Sequence, residues 1–305
     1  MTRAIAASID SLRIGFIGAG RLGQALAWSL AAQGLKVVAA ASQRRTSAQA
    51  LAAPIPGCRV DAAQALVDDC DLVFLTTPDA AIEPSVAALR WRAGVAVVHC
   101  SGVTEVAALA SAAAAGAQVG GFHPMQTFGD PAVAARSLPG CTITIEAGEP
   151  LDATLVALAE RLQCRTNRLP PGMRARYHAA AGYTSQFINV LFADAERLWR
   201  SWGASEAQAV DALLPLARGT LAAIEAAGIA RAMPGPVSRG DLASIEKHLQ
   251  ALVPFGDEAC ARYRILCRAT VPLAQERGAI DAQIARRFED LLAQPSVADR
   301  DPSGR

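Results

Sequence analysis

A chain of 305 residues has material for one large domain or two ordinary ones, and its 52% hydrophobic and 19% charged content suits a helix-rich protein with a large buried interior or subunit interface. A formal net charge of +1 gives no basic footprint for nucleic acid, and no apolar run approaches the ~18 uncharged residues of a membrane span. The seven cysteines are odd in number, widely spaced and without a C-x-x-C, so neither a disulfide framework nor a metal site is indicated; buried reduced thiols in a cytoplasmic protein are expected.

The opening MTRAIAASID has no long apolar stretch and reads as a short ragged start, not a signal peptide. Strand candidates follow at 13–18 (RIGFIG), 36–41 (KVVAAA), 71–76 (DLVFLT), 95–99 (VAVVH), 118–122 (QVGGF) and 141–145 (CTITI). Helical patterns separate most of them, at 22–33, 80–89 and 105–115 for example. That alternation predicts βαβ units and a mostly parallel sheet covered by helices. After the Pro170–Pro171–Gly172 breaker the strand signals stop, and helices are predicted over 173–202, 205–227, 241–252, 256–277 and 281–294. The expected fold is therefore α/β: a Rossmann-type, mostly parallel sheet over residues 1–165, followed by an all-α domain over 166–305, whose last residues, PSVADRDPSGR, are polar and expected to be disordered.

The first strand runs straight into G-x-G-x-x-G at Gly18, Gly20 and Gly23, and a helix opens there. In that context Gly18 permits a tight turn, Gly20 lets the backbone approach a pyrophosphate, and Gly23 allows close helix–strand packing; the helix start at Ala19, Arg21 and Leu22 offers free N–H groups to phosphate. NAD-binding versions end the second strand with an acid that holds the ribose 2′-hydroxyl. Here Ser42, Arg44 and Arg45 stand instead, a set suited to a 2′-phosphate, so the expected cofactor is NADP(H).

Further polar turns follow later strands, where a doubly wound fold places ligands. Thr76, Thr77 and Pro78 follow one strand, with Asp79 placed to cap the next helix; Ser101 lies in a glycine-containing turn after His99, with Thr104 as another candidate cap. His123 ends the next strand in VGGFHPMQTF. In RYHAAAGYTSQFIN, a continuous helix would align His178, Gly182, Ser185 or Gln186, and Asn189 on one face, which could line a cleft. In GPVSRGDL, Ser238 and Asp241 have the spacing of a capping box, and Arg239 between glycine turns could meet a substrate carboxylate; His248 follows in the same helix.

Together GFIGAGRLGQALA, FLTTPD, VVHCSG, GFHPMQTF, YHAAAGYTSQF and GPVSRGDLASIEKHL resemble a family of bacterial Rossmann-like NADP oxidoreductases that carry a C-terminal helical domain of unknown function. The resemblance runs from about residue 12 to 292 and implies the fold, NADP(H) and a homodimer built on the helical domain, but no substrate. More distantly the layout is similar to ketopantoate reductase, pyrroline-5-carboxylate reductase, deazaflavin-dependent NADP reductases and the β-hydroxyacid dehydrogenases. Ketopantoate reductases and β-hydroxyacid dehydrogenases place a catalytic lysine at the start of the first helix of the second domain. This chain has only Lys36 and Lys247, and the matching region offers Arg174, Arg176, Tyr177 and His178, which argues against those two activities. The expectation is hydride transfer between NADP(H) and a small carbonyl or imine, with or without a carboxylate. Ser101 and His123 would orient the reacting group, His178 would assist proton transfer and Arg239 would anchor charge. The alternative is an NADP(H)-binding sensor or scaffold that never turns over.

Overall fold

The computed structural model describes residues 8–293, so the polar tail and most of the opening MTRAIAASID lie outside the described residues. Strands and helices alternate from the start: β1 (Arg13–Ile17), α1 (Arg21–Ala32), β2 (Lys36–Ala41), α2 (Arg45–Ala52), β3 (Arg59–Val60), α3 (Ala63–Asp69), β4 (Leu72–Leu75), α4 (Asp79–Ala87), β5 (Ala96–His99), α5 (Ala110–Ala114), β6 (Gln118–Pro124), α6 (Pro131–Arg136), β7 (Thr142–Ala147), α7 (Leu151–Arg161) and β8 (Arg165–Arg168). They form one eight-stranded sheet in the order β3-β2-β1-β4-β5-β6-β7-β8. Among the described residues, the β6–β7 pair alone is antiparallel. The order reverses between β1 and β4, which creates the switch point beyond whose strand ends such folds bind ligands.

Side chains alternate across the sheet and bury on both faces. Ile14, Phe16, Leu72, Phe74, Val98, Phe122, Ile143 and Ile145 share one core. Ile17, Val73, Leu75, Val97, Leu109 and Ala112 share the other. The parity has a consequence at the far end of the sheet. Because Phe122, Ile143 and Ile145 take the first face, His123, Thr144 and Glu146 must turn to the opposite one. That polar stretch is covered by α8 (Arg174–Thr184), whose Arg174 and Tyr177 are buried.

By its contacts the chain divides into two units, residues 1–186 and 187–305, so β8 and α8 fall in the first. Helix α9 (Gln186–Arg200) starts after a break at Ser185, where φ −126° and ψ −84° leave the helical region. The single helix expected over 173–202 is thus two helices. The Ser185 and Thr184 hydroxyls both bond back to the Ala181 carbonyl, a local competition with the helical ladder that favours such a break. The proposed face from His178 to Asn189 is therefore not one helix face.

The second unit is helical: α10 (Glu206–Ala227), α11 (Ile229–Ala232), α12 (Leu242–Leu252), α13 (Asp257–Glu276) and α14 (Ala282–Ala293). Ile245, Leu249, Val271, Phe288 and Leu292 centre its core. Ser205 and Gln208 form the capping box that starts α10. The box expected from Ser238 and Asp241 is not formed. Asp241 caps α12 alone, accepting from the Ser244 N–H, while the Ser238 hydroxyl donates to the Gly235 carbonyl. No helix among the described residues is long and apolar enough to cross a membrane.

Candidate active site

A cleft of about 1040 Å³ opens over the carboxyl ends of β1, β2, β4 and β5. Its floor is the glycine turn. Gly18 has φ +98°, and a side chain there would also run into the Thr76–Thr77 backbone at 2.6 Å. A Cβ on Gly23 would meet the Thr76 hydroxyl at 2.6 Å and the Gly18 carbonyl at 2.7 Å. Thr76 ties the two segments together by donating to that carbonyl at 2.5 Å. Gly20, by contrast, faces open space at the start of α1, where the unpaired N–H groups of the first turn point. These are the features a pyrophosphate needs, and Thr77 adds a buried hydroxyl with no hydrogen-bond partner.

Ala19, Arg21, Leu22, Thr76, Thr77 and Pro78 all line this cleft, as do Ser42 and Arg44 at the end of β2. Arg45 is exposed and does not line it. Gln43 and Ser47 line it as well, two residues that do not stand out as phosphate ligands from their place in the chain. One carboxylate, Asp61, stands near this rim and is already engaged by Arg59 at 3.3 Å. Asp79, expected to cap α4, makes no capping bond; Pro78 occupies the cap position and Asp79 lines the cleft instead.

At the β5 end, Ser101, Gly102, His123 and His178 line the same cleft. A Cβ on Gly102 would lie 2.8 Å from His123 Nε2 and 2.5 Å from His178 Nδ1, so both imidazoles close on one point beside the β5 turn. Their rings stand 6.2 Å apart, nearly perpendicular. Ser101 plays a different part. Its hydroxyl donates to Thr104 Oγ1 at 2.9 Å and accepts from the Val103 and Thr104 N–H groups, so it folds the turn. Its geometry corrects the expectation that Thr104 would be the cap here. Arg239 lies exposed in the second unit, on the turn before α12.

The sequence did not single out the buried support behind the histidines. Arg174 is fully buried; its Nε donates to Glu146 at 2.8 Å and its Nη1 to the Ser101 carbonyl at 2.8 Å. Its Nη2 lies where a side chain on Gly121 would be, so glycine at 121 makes room for the guanidinium. His99, opposite Gly121 in register, is also fully buried, and its ring nitrogens make no well-formed hydrogen bond beyond a weak approach to the Glu105 backbone. Burial, then the nearby Arg174 and His123 charges, push its imidazole down to about 3. Burial, then the His178 and Arg174 charges, push His123 down to about 4. Both rings are therefore neutral near pH 7. Alternation in CTITIEA was the available signal: Thr144 and Glu146 are polar positions interleaved with Ile143 and Ile145.

Two family models match the chain. Residues 13–102 match the one described as NADP oxidoreductase, coenzyme F420-dependent, and residues 141–270 match the domain of unknown function DUF2520. No curated protein matches the sequence. Among solved structures, a candidate NADP oxidoreductase from Bacteroides fragilis is similar over 87% of this chain and 100% of its own, with 26% identity and a TM-score of 0.70. A reductive aminase from Aspergillus terreus, in complex with NADPH, is similar over 92% of each chain at 20% identity and a TM-score of 0.60. A 1-pyrroline-5-carboxylate reductase from Streptococcus pyogenes is similar over 88% of this chain and 99% of its own, at 15% identity and a TM-score of 0.61. The chain thus joins an NADP oxidoreductase domain to a C-terminal DUF2520 domain, the make-up of an NADP-dependent oxidoreductase.

Proposed function

We propose that this protein reduces, or in reverse oxidises, a small carbonyl or imine compound by hydride transfer with NADP(H). The observation that carries this reading is the closure of His123 Nε2 and His178 Nδ1 on the Gly102 turn, in the same cleft as the glycine-turn phosphate site. Gly18, Gly20 and the first turn of α1 hold the pyrophosphate, Thr77 supplies a further hydroxyl, and Ser42 and Arg44 take the 2′-phosphate. When bound, the nicotinamide supplies or accepts the hydride. His123, neutral near pH 7, orients the reacting oxygen or nitrogen by a hydrogen bond. His178, exposed to solvent, exchanges the proton. Ser101 acts through the turn it folds.

The test is a panel of small ketones, keto acids and cyclic imines with NADPH, followed by nicotinamide absorbance. Turnover of at least one class is expected, and His123→Asn should lower it by ~100-fold while leaving folding and NADPH affinity nearly intact. NADPH binding without turnover across the panel would favour the sensor or scaffold.

We further infer a cytoplasmic homodimer through residues beyond about 170. Leu216, Leu221 and Ile224 on α10, and Ile265 and Leu266 on α13, leave apolar side chains exposed, and two-fold dimers are the commonest soluble assemblies. Light scattering that returned a monomer mass at micromolar concentration would remove this part of the proposal.

A further inference from the structure

Strand register places His123, Thr144 and Asn167 side by side across β6, β7 and β8. Register partners share a face, so these three side chains form a polar row. Tyr177, from α8, closes over the row with its hydroxyl 2.7 Å from His123 Nδ1 and its ring set edge-on to the imidazole at 5.4 Å. Thr144 is fully buried and stands beside the Tyr177 hydroxyl, near enough to stabilise its charged form.

The direction of these bonds follows from what each group can do. The Asn167 carboxamide nitrogen can only donate, and it donates to Thr144 Oγ1 at 3.1 Å. Thr144 then keeps its own proton, and the Tyr177 oxygen beside it is the acceptor the relay assigns to that proton. Tyr177, having accepted there, has its proton left for the ring nitrogen it faces, His123 Nδ1. A neutral imidazole that accepts at Nδ1 carries its hydrogen on Nε2. Nε2 is the atom beside Gly102, in the cleft lining.

We propose that Asn167, Thr144 and Tyr177 form a one-way hydrogen-bond relay that fixes His123 as the Nε2–H tautomer, so that it meets the reacting group as a neutral hydrogen-bond donor. The proposal deepens the reading of His123 given above and rests on it for its catalytic meaning. Tyr177 is a positioning residue: it acts through His123 and does not touch the substrate. With burial holding the ring down to about 4, the imidazole has a single N–H near neutral pH, and the relay decides which nitrogen carries it. A wrong tautomer would turn the same ring into an acceptor facing the cleft.

The test reads the tautomer without turnover. The full chain, labelled with nitrogen-15, is examined near neutral pH by long-range proton–nitrogen correlation, with the His123 signals identified as those missing from His123→Asn. The expected pattern is a protonated Nε2 and an unprotonated, pyridine-type Nδ1. Tyr177→Phe should convert this into a mixture of tautomers and lower kcat by about 10-fold or more, with KM little changed. If that variant does not fold, Thr144→Val, which keeps the shape but removes the donor to Tyr177, should likewise raise the Nδ1–H share. A protonated Nδ1 in the unaltered protein would overturn the proposal, as would a pure Nε2–H tautomer in a folded Tyr177→Phe or Thr144→Val variant. If no substrate on the panel is reduced, the functional reading fails, while the tautomer result still decides the relay.

Discussion

Arg44 and Arg45 are neighbours in sequence, yet only Arg44 lines the nucleotide cleft. A charge-assisted bond to phosphate contributes roughly 1.5–3 kcal/mol, and only NADPH has the 2′-phosphate to receive it. Arg44→Ala should therefore weaken NADPH binding by about 10-fold or more and NADH binding hardly at all, as measured by titration calorimetry. Arg45→Ala should do much less, because its side chain is exposed outside the cleft. Equal loss for both nucleotides with Arg44→Ala would show that this residue does not read the phosphate. The same contrast marks what a sequence can show. Strand ends at a switch point are visible as turns after apolar runs, which brought out Thr77, Ser101 and His123. Arg174 was not visible as a buried group, since arginine at a helix start is ordinarily solvated. Only the three-dimensional fit of its guanidinium against Gly121, beside Glu146 on the neighbouring strand, shows why it is inside.

At the level of elements, the turn after β5 sets the spacing of the two histidines. Gly102 has no side chain because both imidazoles occupy that space. Gly102→Ala should therefore displace His123 and His178 together while leaving the glycine turn before α1 intact. The expected outcome is turnover reduced by about 100-fold with nearly unchanged NADPH affinity, the signature of misplaced reacting groups. Loss of nucleotide binding in step with turnover would mean that the turn supports the whole cleft. Most long elements were readable in the sequence because their apolar periods are strong: 36–41 and 205–227 are examples. The missed strands, β3 and β8, fail that test for physical reasons. β3 is two residues long, and β8 is the edge strand RTNR, whose mostly exposed polar side chains carry no core pattern. The break at Ser185 was hidden for a similar reason, since serine and threonine hydroxyls compete with the helix without disturbing its apolar spacing.

Across the whole molecule, the two family matches do not divide where the sheet does. The DUF2520 match begins at residue 141, so β7, β8 and α8, with Glu146, Arg174, Tyr177 and His178, belong to it, while His123 lies in neither match. The candidate site therefore joins the nucleotide-binding sheet to the first part of the DUF2520 match, residues 141–186, within the first compact unit, and its buried histidines should report on that unit's stability. His99 and His123 have folded-state values of about 3 and about 4, both below the ordinary histidine value near 6.5. Between those values and pH 6.5 the unfolded chain binds more protons than the folded one, so unfolding free energy rises with pH across that window. Stability from these rings is thus complete above about pH 6.5 and is lost as pH falls toward 4. At 1.36 kcal/mol per pH unit, the loss is on the order of 3 kcal/mol for His99 and less for the partly exposed His123. Asp10, Asp69 and Asp241, held low chiefly by side-chain bonds to Arg161, Arg59 and Ser244, add their losses only below the ordinary carboxylate range. Thermal unfolding followed from pH 7 to pH 4 should therefore show a falling midpoint before the carboxylates titrate. In His99→Gln, which cannot take up a proton, the fall should be visibly shallower, even if the variant starts less stable. A pH profile of the same slope in both proteins would show that His99 is not held neutral in the folded chain.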